Sequence, residues 1–396
     1  MNVRSIGIAT SLLIAAFAIA CGGSSRRSGF GTETDPTETA DGGGGGFGGE
    51  GPGKGSECGI NNTGGDPDKD YDGDGYALKD DCNECNTAIN KGAHDIPDNG
   101  IDEDCSGVAD DEEIECDTGL SKSGSDAFDG ARAMGLCKKA DPDGVEWGVV
   151  DAKWVKPDGT SLGNMEGVGI LTKLGVNAPQ MGGSMLVLSS GSAREPSDPD
   201  YDSSSNVKGY THGTPPGYPK ESPACPGVTT GRAQDGVALE MKIRVPSNAQ
   251  SFSYQQNFFT WEYPTFICDR YNDFFVAMLD PIPDGLEDGN IAFDQDTNPI
   301  SVNNSLLQVC APGTHKGKQF SCPLGTDSLS GTGFEGHAAT GWLTTNAPVT
   351  PGTVITLRFA IWDSGDGALD STVLIDDFRF SVDGADSTQT KPSPVN

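Results

Sequence analysis

The sequence predicts a mainly β protein: an antiparallel, jelly-roll-like β-sandwich domain preceded by a small acidic module that must be stapled rather than packed. Three observations point there. Apolar and polar residues alternate with period two in several stretches of the C-terminal two thirds, as in Val237, Leu239, Met241, Ile243 and Val245 against Ala238, Glu240, Lys242 and Arg244. That pattern belongs to half-buried antiparallel strands. Gly 56 and Pro 25 favour turns and loops over helix. Acidic residues, finally, are concentrated where apolar ones are scarce: residues 66–117 hold 19 Asp and Glu against 3 Lys, a net of −16 within a chain of −32.

Residues 1–20 read as an export signal. Arg4 supplies the positive start, an apolar run follows from Ile6 to Ala20, and Ala18-Ile19-Ala20 precedes Cys21 with small residues. The run is shorter than the roughly 20 residues a membrane-spanning helix needs. Residues 21–57 are rich in Gly, Ser and Thr, with an unbroken run from Gly42 to Gly46. Such a chain buries no core and spans roughly 30–35 Å as a flexible tether. Residues 58–117 form the acidic module, with few sizeable apolar groups, among them Ile60, Tyr76, Leu78, Ile89, Ile96 and Ile101. A segment of that kind folds on disulfides or metal.

Residues 120–385 carry the sandwich. Besides the stretch at 237–245, Ile355, Leu357, Phe359 and Ile361 alternate with Thr356, Arg358 and Ala360, and Phe378, Phe380 and Val382 with Arg379 and Ser381. Further strands are expected at 148–155, 184–189, 251–259 and 274–279. One helix is expected from about Ser125 to Lys138, weakened by Gly130 and Gly135. Residues 386–396, with Pro392 and Pro394, are expected to be disordered.

Setting Cys21 aside from the 11 cysteines leaves ten, an even number suited to disulfides in an oxidising compartment. Cys82–Cys105 and Cys310–Cys322 are the pairs expected first, with one further bridge between module and sandwich. The negative balance excludes nucleic acid as a partner, because a phosphate backbone would be repelled, and favours divalent cations.

The sharpest motif is Asp70-Tyr-Asp72-Gly-Asp74-Gly75-Tyr76, followed by Asp81. Calcium takes six to eight hard oxygen ligands, and a loop offering them at positions 1, 3, 5, 7 and 12 with Gly at 6 is one way to present them. Here Asp70, Asp72, Asp74, the Tyr76 carbonyl and Asp81 fill those positions. No amphipathic helix flanks the loop, and a solvated acidic turn is the plainer alternative. A second cluster, Asp98, Asp102 and Asp104 within Asp98-Asn-Gly-Ile-Asp-Glu-Asp104-Cys105, would complete this shell or form another. Copper is disfavoured: it prefers nitrogen or soft sulfur, and the nearby imidazole is His94 alone. In the sandwich, Glu262, Asn272, Asp273, Asp363, Asp366 and Asp370 are oxygen donors bordering strands. They would either converge on a second metal or ligand, or serve as turn and capping residues.

Three resemblances sit on these motifs. Ala18-Ile19-Ala20-Cys21 resembles the lipobox of bacterial lipoproteins, with Ala18 in place of the commoner Leu. It implies lipid on Cys21, and Gly22 after it implies the outer membrane or cell surface. The acidic module resembles a bacterial metal-binding repeat of the MopE type through Asp72-Gly-Asp74-Gly75-Tyr76, Asp81-Cys82, Lys91-Gly92-Ala93 and Asp98 to Gly107. Lys91 replaces a Pro and Pro97 a Cys, so Cys85 would take over that pairing. The sandwich is similar to the choice-of-anchor L domain of bacterial surface proteins through Phe258-Phe-Thr-Trp-Glu262-Tyr-Pro264, Tyr271-Asn-Asp-Phe-Phe275, Ala360-Ile-Trp-Asp-Ser-Gly-Asp366 and Asp370-Ser-Thr-Val373. Thr260-Trp261 departs from that family's small residue and acid.

Together these readings give a lipid-anchored, cell-surface, calcium-binding protein for adhesion or for binding a glycan or surface protein, and not an enzyme. The four histidines, His94, His212, His315 and His337, form no HExxH. The alternatives are an extracellular polysaccharide hydrolase using carboxylates such as Glu262 and Asp363, and a structural envelope component.

Overall fold

Alternation along the strands builds two antiparallel sheets. The computed structural model describes residues 65–111, 116–203 and 206–394; the signal segment, Cys21 and the tether lie outside them. A short helix α1 (Ala127–Arg132) precedes strands β1 (Gly148–Val155), β2 (Val168–Leu171), β3 (Met185–Ser189), β4 (Ala233–Arg244), β5 (Ser251–Thr260), β6 (Phe274–Asp280) and β7 (Ile300–Ser301). After them come β8 (Gly313–His315), β9 (Lys318–Phe320), β10 (Ala338–Ala339), β11 (Leu343–Pro348), β12 (Val354–Ser364), β13 (Ser371–Ser381) and β14 (Gln389–Pro392). One sheet runs β1-β4-β12-β6-β7. The second runs β14-β11-β5-β13-β3-β2, with β10 also on β5, and β8 and β9 pair with each other as a separate two-stranded ribbon.

The sheets face each other across a shared core. Val237, Leu239, Met241 and Ile243 of β4 and Leu357, Phe359 and Ile361 of β12 meet Phe252, Tyr254 and Phe258 of β5 and Val373 and Ile375 of β13. Tyr254 and Phe359 pack edge to face across the interface with centroids 4.8 Å apart. The polar residues of β4 and β12 face outward: the Arg358 Nε donates to Glu240 at 2.8 Å. A second apolar layer covers the opposite face of the other sheet, where Val187, Phe259 and Leu374 pack against Leu329 and Phe334. The 1.5 to 3 kcal/mol that burial of one large apolar side chain contributes is therefore gathered on both faces of that sheet.

The expected helix is real but covers only Ala127–Arg132. Asp126 caps it by accepting from the Phe128 N–H. It stops early because Gly135 takes φ +96°, a left-handed conformation that glycine adopts without a Cβ clash. The C-terminal segment departs from expectation. Rather than being disordered, residues 389–392 pair with Leu343–Asn346 as an edge strand. Two threonines hold it, the Thr345 and Thr390 hydroxyls lying 2.8 Å apart in the interior.

Residues 65–111 contain no helix or strand. Carboxylates organise them by accepting from backbone N–H groups, as in Asx turns, around a small interior holding Ile89 and Ala93. The module is not a separate body: the described residues fall in one compact unit. Ser247, in the turn between β4 and β5, donates its N–H to the Gly92 carbonyl at 2.8 Å and its hydroxyl to Asn90 Oδ1 at 2.7 Å. Asn248 exchanges two bonds with the His94 backbone.

Cys82–Cys105 and Cys310–Cys322 are bridged, as are Cys225–Cys268 and Cys116–Cys137. The last joins module to sandwich. Cys85 is disulfide-bonded as well. No helix among the described residues is long and apolar enough to cross a membrane.

Candidate metal centres

The sequence Asp70-Tyr-Asp-Gly-Asp-Gly folds back on itself because its own carboxylates accept from its own backbone. Asp70 accepts from Gly73 N–H at 2.6 Å and Gly75 N–H at 3.0 Å. Asp72 accepts from Asp74 N–H, and Asp74 from Tyr76 N–H at 2.7 Å. Gly73 and Gly75 sit at φ +83° and +96°, which the tight curl requires. The curl also brings the carboxylates together. Asp72, Asp74 and Asp81 offer oxygens all within 4.8 Å of one another, and so do Asp70, Asp72 and Glu84.

Asp81 is 3% exposed, and its Oδ2, like the Oδ2 of Asp72, has no hydrogen-bond partner. Its other oxygen accepts from Asn83 N–H at 2.6 Å. Burial, then the neighbouring Asp74, Glu84 and Asp72, pushes its carboxyl up to about 7. Burial also raises Asp74 and Glu84. No salt bridge among the described residues involves Asp72, Asp74 or Asp81. Such an arrangement offers hard oxygens to a divalent cation. The structure thus gathers Asp70, Asp72, Asp74 and Asp81. The Tyr76 side chain is half-buried, its phenol packing on Gly92 and donating to the Val145 carbonyl at 3.3 Å. Glu84, missed in the sequence, lies three residues past Asp81 and joins by accepting from Tyr71 N–H at 2.7 Å.

The second acidic cluster differs in membership from the expected one. Asp95, Asp104 and Asp111 converge, whereas Asp98 and Asp102 are in no such group. Asp98 is exposed. Asp102 is spent on a local turn, accepting from Ser106 and Gly107 N–H, both at 2.9 Å. Asp104 is balanced by Lys138 at 3.6 Å. Asp95 accepts from Glu103, Asp104 and Asp111 N–H, so its oxygens already organise backbone. The Cys82–Cys105 bridge does not bring Asp102 and Asp104 into the Asp70–Asp81 shell.

In the sandwich, Glu262, Asn272, Asp273 and Asp370 are 1% exposed and Asp363 0%. The position of Asp363 follows from the end of β12, and that of Asp273 from the entry to β6, the strand paired with β12. Asp273 ties strand ends together, accepting from Ser364 N–H at 3.0 Å and from the Ser371 hydroxyl at 2.9 Å. Asp366 stands apart. It is exposed and serves a turn, accepting from Ala368 N–H. Burial first, and then mutual repulsion, raises Glu262 to about 9 and Asp370 to about 9, and burial raises Asp363 to about 7.

Comparison with known proteins places these features. A family model described as the choice-of-anchor L domain matches residues 149–381, from β1 to the end of β13. No curated protein matches the sequence. A solved carbohydrate-binding module, studied for specific mannan recognition, is similar over 59% of this chain and 84% of its own, at 11% identity and a TM-score of 0.23. A likeness that distant bears on neither ligand nor mechanism.

Proposed function

The chain belongs to the choice-of-anchor L domain family, and on that premise we propose that it is an exported, cell-surface binding protein whose acidic loop takes calcium. The observation that carries the proposal is the convergence of Asp72, Asp74 and Asp81 within 4.8 Å, with Asp81 3% exposed and one of its oxygens unpartnered. Three like charges in so small a space repel, and a cation offsets them. Asp70, Glu84 and the Tyr76 carbonyl would complete an all-oxygen shell suited to calcium rather than copper. Disulfides support an oxidising, extracellular setting. Cys21 would hold the protein to the membrane through two acyl chains, the number stable anchoring needs.

The fixed sandwich surface would then bind a glycan or a surface protein. Glu262 and Asp363 are 1% and 0% exposed. A hydrolytic pair must reach a glycosidic oxygen, so their burial supports binding over hydrolysis. The test is a calcium titration of the full chain followed by glycan-array binding with calcium and with chelator. Calcium uptake lost on Asp72→Asn and Asp81→Asn, with array signals that need calcium, is the expected result. Calcium uptake untouched by both substitutions, or turnover of an array glycan, would overturn it.

A further inference from the structure

We propose that the cleft between the acidic module and the sandwich binds one sugar unit of a glycan, through the Asp117 carboxylate and the Trp147 indole N–H. The proposal rests on the glycan-binding reading above and gives it a place, one that no residue of the 70–84 loop lines. The cleft measures about 410 Å³, within the range of small-molecule sites. The Cys116–Cys137 bridge, the turn at Met181 and Gly182 and the rings of Trp147, Phe378 and Phe380 wall it.

Two buried polar groups in these walls have no partner within the protein. Asp117 is 6% exposed. Its Oδ2 accepts from Gly183 N–H at 2.6 Å and from Ser184 N–H at 2.9 Å. Gly182 permits that approach, since a Cβ there would lie 2.2 Å from the same oxygen. The Oδ1 is left without a hydrogen bond. Trp147 is 4% exposed and packs nearly at right angles to His94 and Phe380, with centroids 5.6 and 5.8 Å away. Its Nε1–H is unpartnered as well. Buried polar groups are normally satisfied. The indoles of Trp154 and Trp261 are, donating to the Gly124 and Gly333 carbonyls at 2.7 and 2.8 Å.

One of these groups accepts and the other donates. A cation would satisfy Asp117 but not the indole, and an anion the reverse. The guanidinium groups of Arg132 and Arg379 also line the cleft and oppose a cation, while Asp95 and Asp111 oppose an anion. A hydroxyl both donates and accepts, so a neutral polyol serves the two groups together. The C–H faces of a sugar ring suit the apolar walls at Leu136, Phe378 and Phe380. An amide donates and accepts too, but extended peptides are held by main-chain pairing at a free strand edge. The edges beside this cleft are in use: Phe378 N–H donates to the Met134 carbonyl and Val149 N–H to the Lys138 carbonyl, both at 2.8 Å.

The test follows the indole N–H resonances of the full chain by NMR, in calcium throughout, with the Trp147 signal assigned by Trp147→Phe. The probes are the methyl glycosides of glucose, galactose, mannose and N-acetylglucosamine, with methylammonium, acetate and a blocked tripeptide as the competing classes. The expected result is a saturable shift of the Trp147 resonance with at least one glycoside, while those of Trp154 and Trp261 stay in place. Asp117→Asn keeps an oxygen for Gly183 and Ser184 but puts a donor where the free acceptor was, and should weaken that response about tenfold or more. A Trp147 resonance that no glycoside moves, that moves equally in Asp117→Asn, or that answers only to the competing classes would overturn the proposal. If no glycoside moves it and the chain still binds array glycans, the cleft alone falls and the glycan-binding reading stands; if the chain binds none, both fall. Should Asp117→Asn not fold, the contrast among the three indoles of the wild type decides.

Discussion

Asp81 and Asp102 show how two aspartates in one acidic module differ in what they can do. Asp81 is buried with an oxygen unpartnered beside Asp72 and Asp74, whereas Asp102 has both oxygens engaged by backbone N–H groups of its own turn. Asp81→Asn is therefore expected to weaken calcium binding by the loop at least tenfold, about 1.4 kcal/mol, and Asp102→Asn to leave it unchanged; calorimetric titration of the two variants checks this. Asp376 offers a pH handle away from any proposed metal. Burial pushes its carboxyl up to about 7, although Gln180, Met181 and Asp377 N–H groups donate to it. The folded state thus keeps a proton that the unfolded chain, with an ordinary carboxylate near pH 4, gives up. Its contribution to stability is full below about pH 4 and is lost as pH rises towards 7. Denaturant unfolding at pH 5 and pH 8 should show the wild type weaker at pH 8, and Asp376→Asn should narrow that difference. An unchanged difference would assign the pH dependence elsewhere.

At the scale of elements, Asn90 joins the metal loop to the sandwich. It is 0% exposed, donates to Asp74 at 2.7 Å, and accepts from Gly92 N–H and the Ser247 hydroxyl. Asn90→Ala leaves Ser247 and Gly92 without that acceptor and is expected to cost about 1–3 kcal/mol, read from urea unfolding of the full chain. The terminal strand is a second such joint. Truncation after Ser387 exposes the edge of β11 and the Thr345 hydroxyl, and is expected to cost roughly 1 kcal/mol or more and to promote edge-to-edge association, visible by light scattering. Alternation made β4 and β12 legible in the sequence, because each has one face in the core and the other turned from it, and β13 only from Phe378 on, since residues 371–376 are buried on both faces. Strand β2 was not legible: all four residues of Val168–Leu171 are buried, so period two is erased. Nor was β14, where Lys391 and Pro392 read as an end. Asp70, Asp72, Asp74 and Asp81 were readable from spacing. Glu84 and Asp95 were not, since their place depends on which backbone N–H groups the folded turns present.

Across the whole molecule, the separation into module and sandwich that composition suggests does not hold. Asn90, Ser247, Asn248 and the Cys116–Cys137 bridge join the two. Calcium in the loop should consequently stabilise the chain as a unit, by an amount that grows with calcium concentration, rather than fold a free-standing module. Differential scanning calorimetry of the full chain, in calcium and in chelator, for the wild type and for the Asp72→Asn, Asp74→Asn, Asp81→Asn variant, tests that most directly. The account predicts a melting temperature that climbs with calcium in the wild type and climbs markedly less in the variant. A wild type that melts at the same temperature in calcium and in chelator would contradict it.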